Sequence, residues 1–187
     1  MGDPKLSDLV RSAQGGDGAA FEGIVRALQR RVFQAVLAMT GSMEEADEVT
    51  QEAFIRLYER LGSIREPRAV SGWVVRTALN VARSRKRFAK IRGWLGAARK
   101  APEGEPSLCP SPESQAALHE MGAIVEAWSE ARLSDAQRVV MQLRVGEQMT
   151  FEEIARELGI SASAAKAHFA RARDKLRAME ARHGGVR

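Results

Sequence analysis

Residues 150–176, TFEEIARELGISASAAKAHFARARDKL, carry the punctuation of two short helices joined by a tight turn. Thr150 is placed to cap the first helix, Glu153 to reach back to the cap backbone, and Gly159 to end it in the left-handed conformation. Ser161 is then placed to cap the second helix. Phe151, Ile154, Ala155 and Leu158 recur at helical spacing in the first helix, as do Ala165, Phe169, Ala172 and Leu176 in the second. Each helix therefore has one face to bury, and a helix-turn-helix satisfies all of these signals. On the other side of the second helix lie Ser163, Lys166, Ala167, Ala170, Arg171 and Asp174, with Arg173, Lys175 and Arg177 close by. Small residues let a helix approach a groove, and cations meet phosphates. The competing outcome is an ordinary helical hairpin with a solvated basic face, and the rest of the chain decides between them.

Aromatic residues make up only 5% of the 187 positions and β-branched runs are few, whereas Ala, Leu, Arg and Glu dominate. This composition favours an all-helical protein. A hydrophobic content of 44% supports one medium domain or two small ones with separate cores. The formal net charge of +5 suits a polyanion and would equally suit an acidic protein surface. The lone cysteine, Cys109, cannot form an intrachain disulfide, and no Cys/His cluster has ligand spacing, so no metal or cofactor is expected. The first residues, MGDPKLSDLV, lack the apolar centre of a signal peptide, and nowhere do eighteen apolar residues run consecutively. The expectation is a soluble cytoplasmic protein without stable membrane insertion.

The Pro/Gly/Ser-rich segment APEGEPSLCPSP, residues 101–112, interrupts the helical pattern and divides the chain. The expected organisation is a helical domain over 1–100, a flexible linker over 101–112 and a second helical domain over 113–187. The second is expected to be a winged-helix-like four-helix domain. In the first part, Asp17 opens a long amphipathic helix that ends at Gly41. Ser42 with Glu45 forms a capping box for a helix to about Leu61, stopped by Gly62, and Pro67 precedes a third helix from about Ala69 to Phe88 or beyond. In the second part, Ser111 and Pro112 open a helix to about Arg132. Ser134 with Gln137 caps another through Arg144, ahead of the helix-turn-helix.

Charge is distributed unevenly. Between Glu44 and Glu52 stand five acidic residues and no basic one, although the chain is basic overall. Carboxylates in a first turn interact well with the helix dipole, which accounts for Glu44 and Glu45 and, at the edge of its reach, Asp47. It does not account for the continuation through Glu48, Gln51 and Glu52; Asp47, Glu48, Gln51 and Glu52 share one exposed face opposite Val49, Ala53, Phe54 and Leu57. Such a face suits a basic protein partner. Acid/base catalysis would need a pocket and companion groups that the pattern does not offer.

Between Arg83 and Lys100 the balance reverses to eight basic residues and no acidic one. On the helix leading in, Trp73, Arg76, Asn80, Arg83 or Ser84, and Arg87 fall on one stripe, with Val75, Ala78, Leu79 and Ala82 on the buried side. Cations hold phosphates, an amide reads a base edge and an aromatic ring stacks on an exposed base, so the stripe has the parts needed for single-stranded or melted DNA. Trp73 is also placed for core packing, the simpler of its two roles. With Ile91, Trp94 and Leu95, the basic run also has an amphipathic, membrane-facing alternative.

Acidic helix, loop, basic helix, linker and terminal helix-turn-helix together resemble a bacterial RNA polymerase sigma factor of the extracytoplasmic-function group in the sigma-70 family. LVRSAQGGDGAAFEGIV is similar to that group's opening helix, and MEEADEVTQEAFIRLYERL to its most recognisable segment. SGWVVRTALNVARSRKR resembles the helix ending the first domain, and residues 133–177 resemble the second domain end to end. The resemblance implies a non-enzymatic initiation subunit that binds core RNA polymerase and promoter DNA and is commonly held by an anti-sigma factor covering both DNA-binding domains. No small-molecule substrate is implied.

Carried over by position, Asp47, Glu48, Gln51 and Glu52 correspond to the polymerase-docking face. Arg65 in the loop from Gly62 to Ser71, with Trp73, Arg76, Asn80, Arg83 and Arg87, corresponds to the part that opens the minus-ten element. Arg144, Ser161, Ser163, Lys166, Ala167, Ala170, Arg171 and Lys175 correspond to the part that binds the minus-thirty-five element. The linker, with Glu103 and Glu105, would follow the route toward the polymerase active centre. The group commonly has a β-branched residue where this chain has Ala165, an arginine where it has His168, and a larger polar or aromatic residue at Ala170. Base readout would thus be thinner, with DNA shape compensating. The alternatives from the residues alone are a helix-turn-helix repressor or response-regulator output acting without polymerase, and a helical adaptor that binds only proteins.

Overall fold

The computed structural model describes residues 4–94 and 122–184, and every regular element among them is helical. The linker assigned to 101–112, Glu103, Glu105, Cys109 and the helix start at Ser111 and Pro112 lie outside the described residues. The first helix, α1 (Pro4–Gln14), ends at Gly16, whose φ of 97° requires the left-handed region that glycine enters without strain. Asp17 then caps α2 (Gly18–Thr40), its carboxylate accepting from the amides of Ala19 at 2.9 Å and Ala20 at 3.2 Å. Gly41 closes α2 with φ 76°. Ser42 opens α3 (Met43–Arg60) by accepting from the Glu45 amide, so the expected cap is present through its Ser42 half.

Two short 3₁₀ turns, Leu61–Ser63 and Pro67–Ala69, lead into α4 (Val70–Trp94). Ile24, Val32 and Val36 of α2, Val49, Ala53 and Leu57 of α3, and Val70, Val74 and Ala78 of α4 are completely buried against one another. Their spacing of four residues, or twice that between Ile24 and Val32, gives each helix one continuous apolar stripe. α1 is fastened to the far end of this bundle by Gln14, whose amide donates to the carbonyls of Leu61 at 3.0 Å and Ile64 at 2.8 Å.

The second set begins with α5, helical over 122–130. It ends where Arg132 takes φ 53° and the Leu133 amide reaches back to the Trp128 carbonyl at 2.9 Å. Ser134 and Gln137 form the complete capping box of α6 (Asp135–Met141). The α-helix expected through Arg144 stops three residues earlier, because Gln142–Gly146 winds as one π turn. That wider turn keeps Leu143 fully buried while Gln142 donates to Gln34 of α2 at 3.2 Å. The helix-turn-helix follows as α7 (Phe151–Leu158) and α8 (Ala162–Gly184).

The two sets do not keep separate cores. Buried side chains from Val10 to Ala172 form one continuous cluster. Met39, Leu79, Val139, Val140 and Leu158 line one small cleft where the sets join.

Candidate nucleic-acid interface

The acidic face of α3 forms as its spacing requires, with Glu48 and Gln51 exposed and Asp47 and Glu52 half-buried. It is not left wholly to solvent. Arg85 of α4 donates to Glu48 at 2.5 Å and to Glu52 at 2.8 Å, and Arg56 reaches Glu52 at 2.6 Å. Burial works against the charge on Arg85, but the hydrogen bonds and attraction from these carboxylates outweigh it and raise the guanidinium pKa. Asp47 pairs with no cation among the described residues and accepts only from Gln51, at 2.9 Å. Its pKa is raised, first by burial and further by the neighbouring Glu48 charge, against the opposing bond from Gln51.

On α4 the expected stripe divides. Arg65, in the loop before it, and Asn80, Arg83 and Arg87 are exposed, and Arg83 donates to the Asn80 side chain at 2.8 Å. Trp73 is half-buried and packs against the core. Arg76 points across the seam and donates to the carbonyls of Arg156 at 2.9 Å and Glu157 at 3.0 Å, at the C-terminal end of α7. Cations are favoured at that end of a helix, where carbonyls lack helical partners.

The helix-turn-helix is built as its punctuation specifies. Thr150 and Glu153 form a complete capping box, and Gly159 has φ 68°. Backbone and side-chain hydrogen bonds from Thr150 hold the Glu153 carboxyl below its ordinary pKa. Ser161 accepts from the Ala164 amide at 3.1 Å and shares a hydrogen bond with Ser163 at 2.9 Å. Phe151 stacks edge-on against Phe169 at 5.6 Å and carries two cations, Arg144 at 5.2 Å and Lys166 at 5.9 Å from its ring centroid. Cation–π contact of this kind orients both charges beside α8.

Arg144 also donates to the Met149 carbonyl at 2.9 Å, and Lys166 lies 3.6 Å from Glu152. Arg171 is exposed, Ala167 and Ala170 are half-buried, and Lys175 is committed to the scaffold through the Arg132 carbonyl at 2.7 Å and Gln137 at 3.2 Å.

Four residues of consequence are not singled out by the sequence pattern: Arg31, Ser71, Arg85 and Glu157. A signal for Glu157 exists, since it stands beside Leu158 on the apolar side of α7, where a charge needs a partner. It is only 7% exposed, and Ser71 donates to its carboxylate at 2.6 Å.

Two family models match in order: Sigma-70 region 2 over residues 24–91 and Sigma-70 region 4 over residues 131–178. The chain is 30% identical to the RNA polymerase sigma factor NccH of Alcaligenes xylosoxydans xylosoxydans over 182 residues, covering 96% of this chain and 97% of the relative. It is 28% identical to the ECF RNA polymerase sigma factor SigW of Bacillus subtilis, covering 92% and 95%. The solved structure of CnrH in complex with the cytosolic domain of CnrY superimposes with a TM-score of 0.69 at 24% identity, over 94% of this chain and 96% of that one, and supports the fold. The chain belongs to the extracytoplasmic-function group of the sigma-70 family and is a promoter-specific transcription initiation factor.

Proposed function

We propose that the chain docks on core RNA polymerase through Asp47, Glu48, Gln51 and Glu52 and grips a promoter at two points. In this scheme residues 1–100 act as the melting domain. Arg65, Arg76, Asn80, Arg83 and Arg87 hold the minus-ten element, and Trp73 acts chiefly by bracing α4 against the core. Residues 113–187 act as the upstream anchor, with Arg144, Lys166 and Arg171 on phosphates, Ser161 and Ser163 at the start of α8, and Ala167 and Ala170 allowing close approach to the groove. Lys175 contributes by holding α8 to the α5–α6 turn. The carrying observation is that region 2 and region 4 models match in order on one chain.

The chain would carry no catalytic step, since nucleotide chemistry belongs to the polymerase. It would act in the cytoplasm, at the nucleoid when bound to polymerase. No described helix is long and apolar enough to cross a membrane. An anti-sigma factor is the expected inhibitory partner. The test is in vitro transcription from genomic fragments with purified core polymerase and start-site mapping. Asp47→Lys with Glu48→Lys should abolish core association while the circular dichroism spectrum keeps its helical form. Unchanged association would overturn the docking assignment.

A further inference from the structure

We propose that Gln14 is a positioning residue for minus-ten recognition, its amide holding the backbone of residues 61–66 in the shape that carries Arg65 to DNA. This role rests on the assignment of Arg65 to the minus-ten element. The connection from α3 to α4 consists of two single 3₁₀ turns, Leu61–Ser63 and Pro67–Ala69, and the residues between them. Its own hydrogen bonds reach only a few residues along the chain. The Ile64 amide donates to the Leu61 carbonyl at 3.2 Å, the Ser63 hydroxyl to the Arg60 carbonyl at 2.7 Å, and the Ala69 amide to the Glu66 carbonyl at 2.9 Å. A loop held by few, exposed hydrogen bonds opens at little cost, so a single shape needs an outside partner.

Gln14 is that partner. Among the described residues, its Nε2 makes the only hydrogen bonds that tie residues 61–66 to another element, at 3.0 Å to the Leu61 carbonyl and 2.8 Å to that of Ile64. A primary amide carries two hydrogens, so one side chain serves both acceptors and fixes their spacing. The Ile64 carbonyl shares a planar peptide unit with the Arg65 amide. Holding that carbonyl therefore sets the plane from which Arg65 leaves the backbone, while the Arg65 side chain stays exposed.

The base from which Gln14 reaches is itself firm. The Gly16 amide donates to the Ala13 carbonyl at 3.0 Å, and the Ser12 hydroxyl donates to the Asp17 carboxylate at 2.8 Å, which ties the end of α1 to the cap of α2. Val10 is completely buried, and Leu6 and Leu9 pack against the core. The other end of α1 follows the same connection, since Leu6 and Ser7 line a cleft with Glu66, Arg68 and Ala69. α1 thus backs the connection from Leu61 to Ala69, and Gln14 supplies the directional contact. Gln14 is exposed, so it adds little to the core, and its two hydrogen bonds are what its side chain contributes.

The test uses the full chain with core polymerase on a promoter found by start-site mapping. Opening is followed by permanganate reactivity of minus-ten thymines, and base preference by single substitutions across that element. Gln14→Met keeps the side-chain length and removes both donors. It should open the promoter about 5- to 10-fold more slowly, the scale of two partly exposed hydrogen bonds, and flatten the base preference, with core association on gel filtration unchanged. Gln14→Lys, which again offers N–H donors, should recover most of the rate. Gln14→Glu, which sets a carboxylate against two carbonyls, should be at least as slow as Gln14→Met. In an Arg65→Ala background Gln14→Met should add little, because residues that act through one another are not additive. With Arg65→Ala defective, wild-type opening in Gln14→Met overturns the positioning role, and so does a fully additive loss in the double variant. A slow Gln14→Met variant with unaltered base preference also overturns it, since a purely structural role would leave that preference intact. Wild-type opening in Arg65→Ala would instead strike the minus-ten assignment, and the positioning role with it.

Discussion

Arg85 of α4 and Glu52 of α3 face each other at 2.8 Å, so the helix assigned to DNA melting supplies a counter-charge to the face assigned to polymerase docking. A basic partner thus meets carboxylates that already hold a cation. Arg85→Ala should lower stability by about 1 kcal/mol or less, because the pairs with Glu48 and Glu52 are partly exposed, and should lower Tm by roughly 2–4 °C. It should also steepen the salt dependence of core association, since two carboxylates become available to the partner. Thermal melts and association rates at several ionic strengths check both parts, and an unchanged salt dependence would remove Arg85 from the docking balance.

Asp47 is the acidic member of that face that pairs with no cation among the described residues. Its carboxyl pKa is raised above 3.8, with burial the leading cause. Well above the folded pKa the side chain is ionised in both the folded and the unfolded chain, and the shift then costs stability. The cost is relieved as pH falls through the folded value and is absent below 3.8, where both states are protonated. Asp47→Asn should therefore be neutral or slightly stabilising at pH 7, with the difference from wild type fading in acid. The same change should weaken binding to core polymerase. A destabilised variant with normal core binding would assign Asp47 to the fold and not to docking.

The parts legible in the sequence are those governed by local rules. Asp17, Gly41, Ser134, Thr150 and Gly159 each act within a few residues of themselves, and each sits where its capping chemistry requires. The periodic stripes of α2, α3 and α4 are equally legible, because burial follows the helical repeat. The end of α6 is not, since the π turn at Gln142–Gly146 serves a tertiary pairing between Gln142 and Gln34, 108 residues apart. Arg76 shows the same limit. Its register puts it on the stripe with Asn80 and Arg83, but the carbonyls it meets belong to a helix 80 residues away. A stripe assigned from register alone identifies which residues face outward, not what lies opposite them.

The capping box of α7 offers a test with a pH signature. Thr150→Ala removes the side chain that accepts from the Glu153 amide and should cost about 1 kcal/mol. Glu153→Gln keeps a side-chain acceptor for the Thr150 amide and removes the charge. Hydrogen bonds from Thr150 hold the Glu153 pKa below 4.5, so its contribution is fully present above that value and disappears as pH falls through the lower, folded one. Wild type should accordingly be more stable than Glu153→Gln at pH 7, by a few tenths of a kcal/mol at this exposed site, and the two should converge once the pH falls below the folded pKa. A gap that persists in acid would place the effect outside the carboxylate.

Arg171 and Lys175 stand one turn apart on α8 and look alike in the sequence, yet they should behave differently on DNA. Arg171 is exposed, whereas the ammonium of Lys175 is bound by the Arg132 carbonyl at 2.7 Å and Gln137 at 3.2 Å. Arg171→Ala in the holoenzyme should weaken promoter binding. If the guanidinium holds a phosphate, its removal reduces the slope of log affinity against log salt by about 1; if it reads a base, removal costs about 1–3 kcal/mol and relaxes specificity at one position. Lys175→Ala should instead lower Tm by a few degrees, by releasing α8 from the α5–α6 turn, with the salt slope unchanged. The pair is best measured side by side, because a Lys175→Ala variant that melts normally but flattens the salt slope would make Lys175 a phosphate ligand. In that case its hold on Arg132 and Gln137 must break when DNA binds.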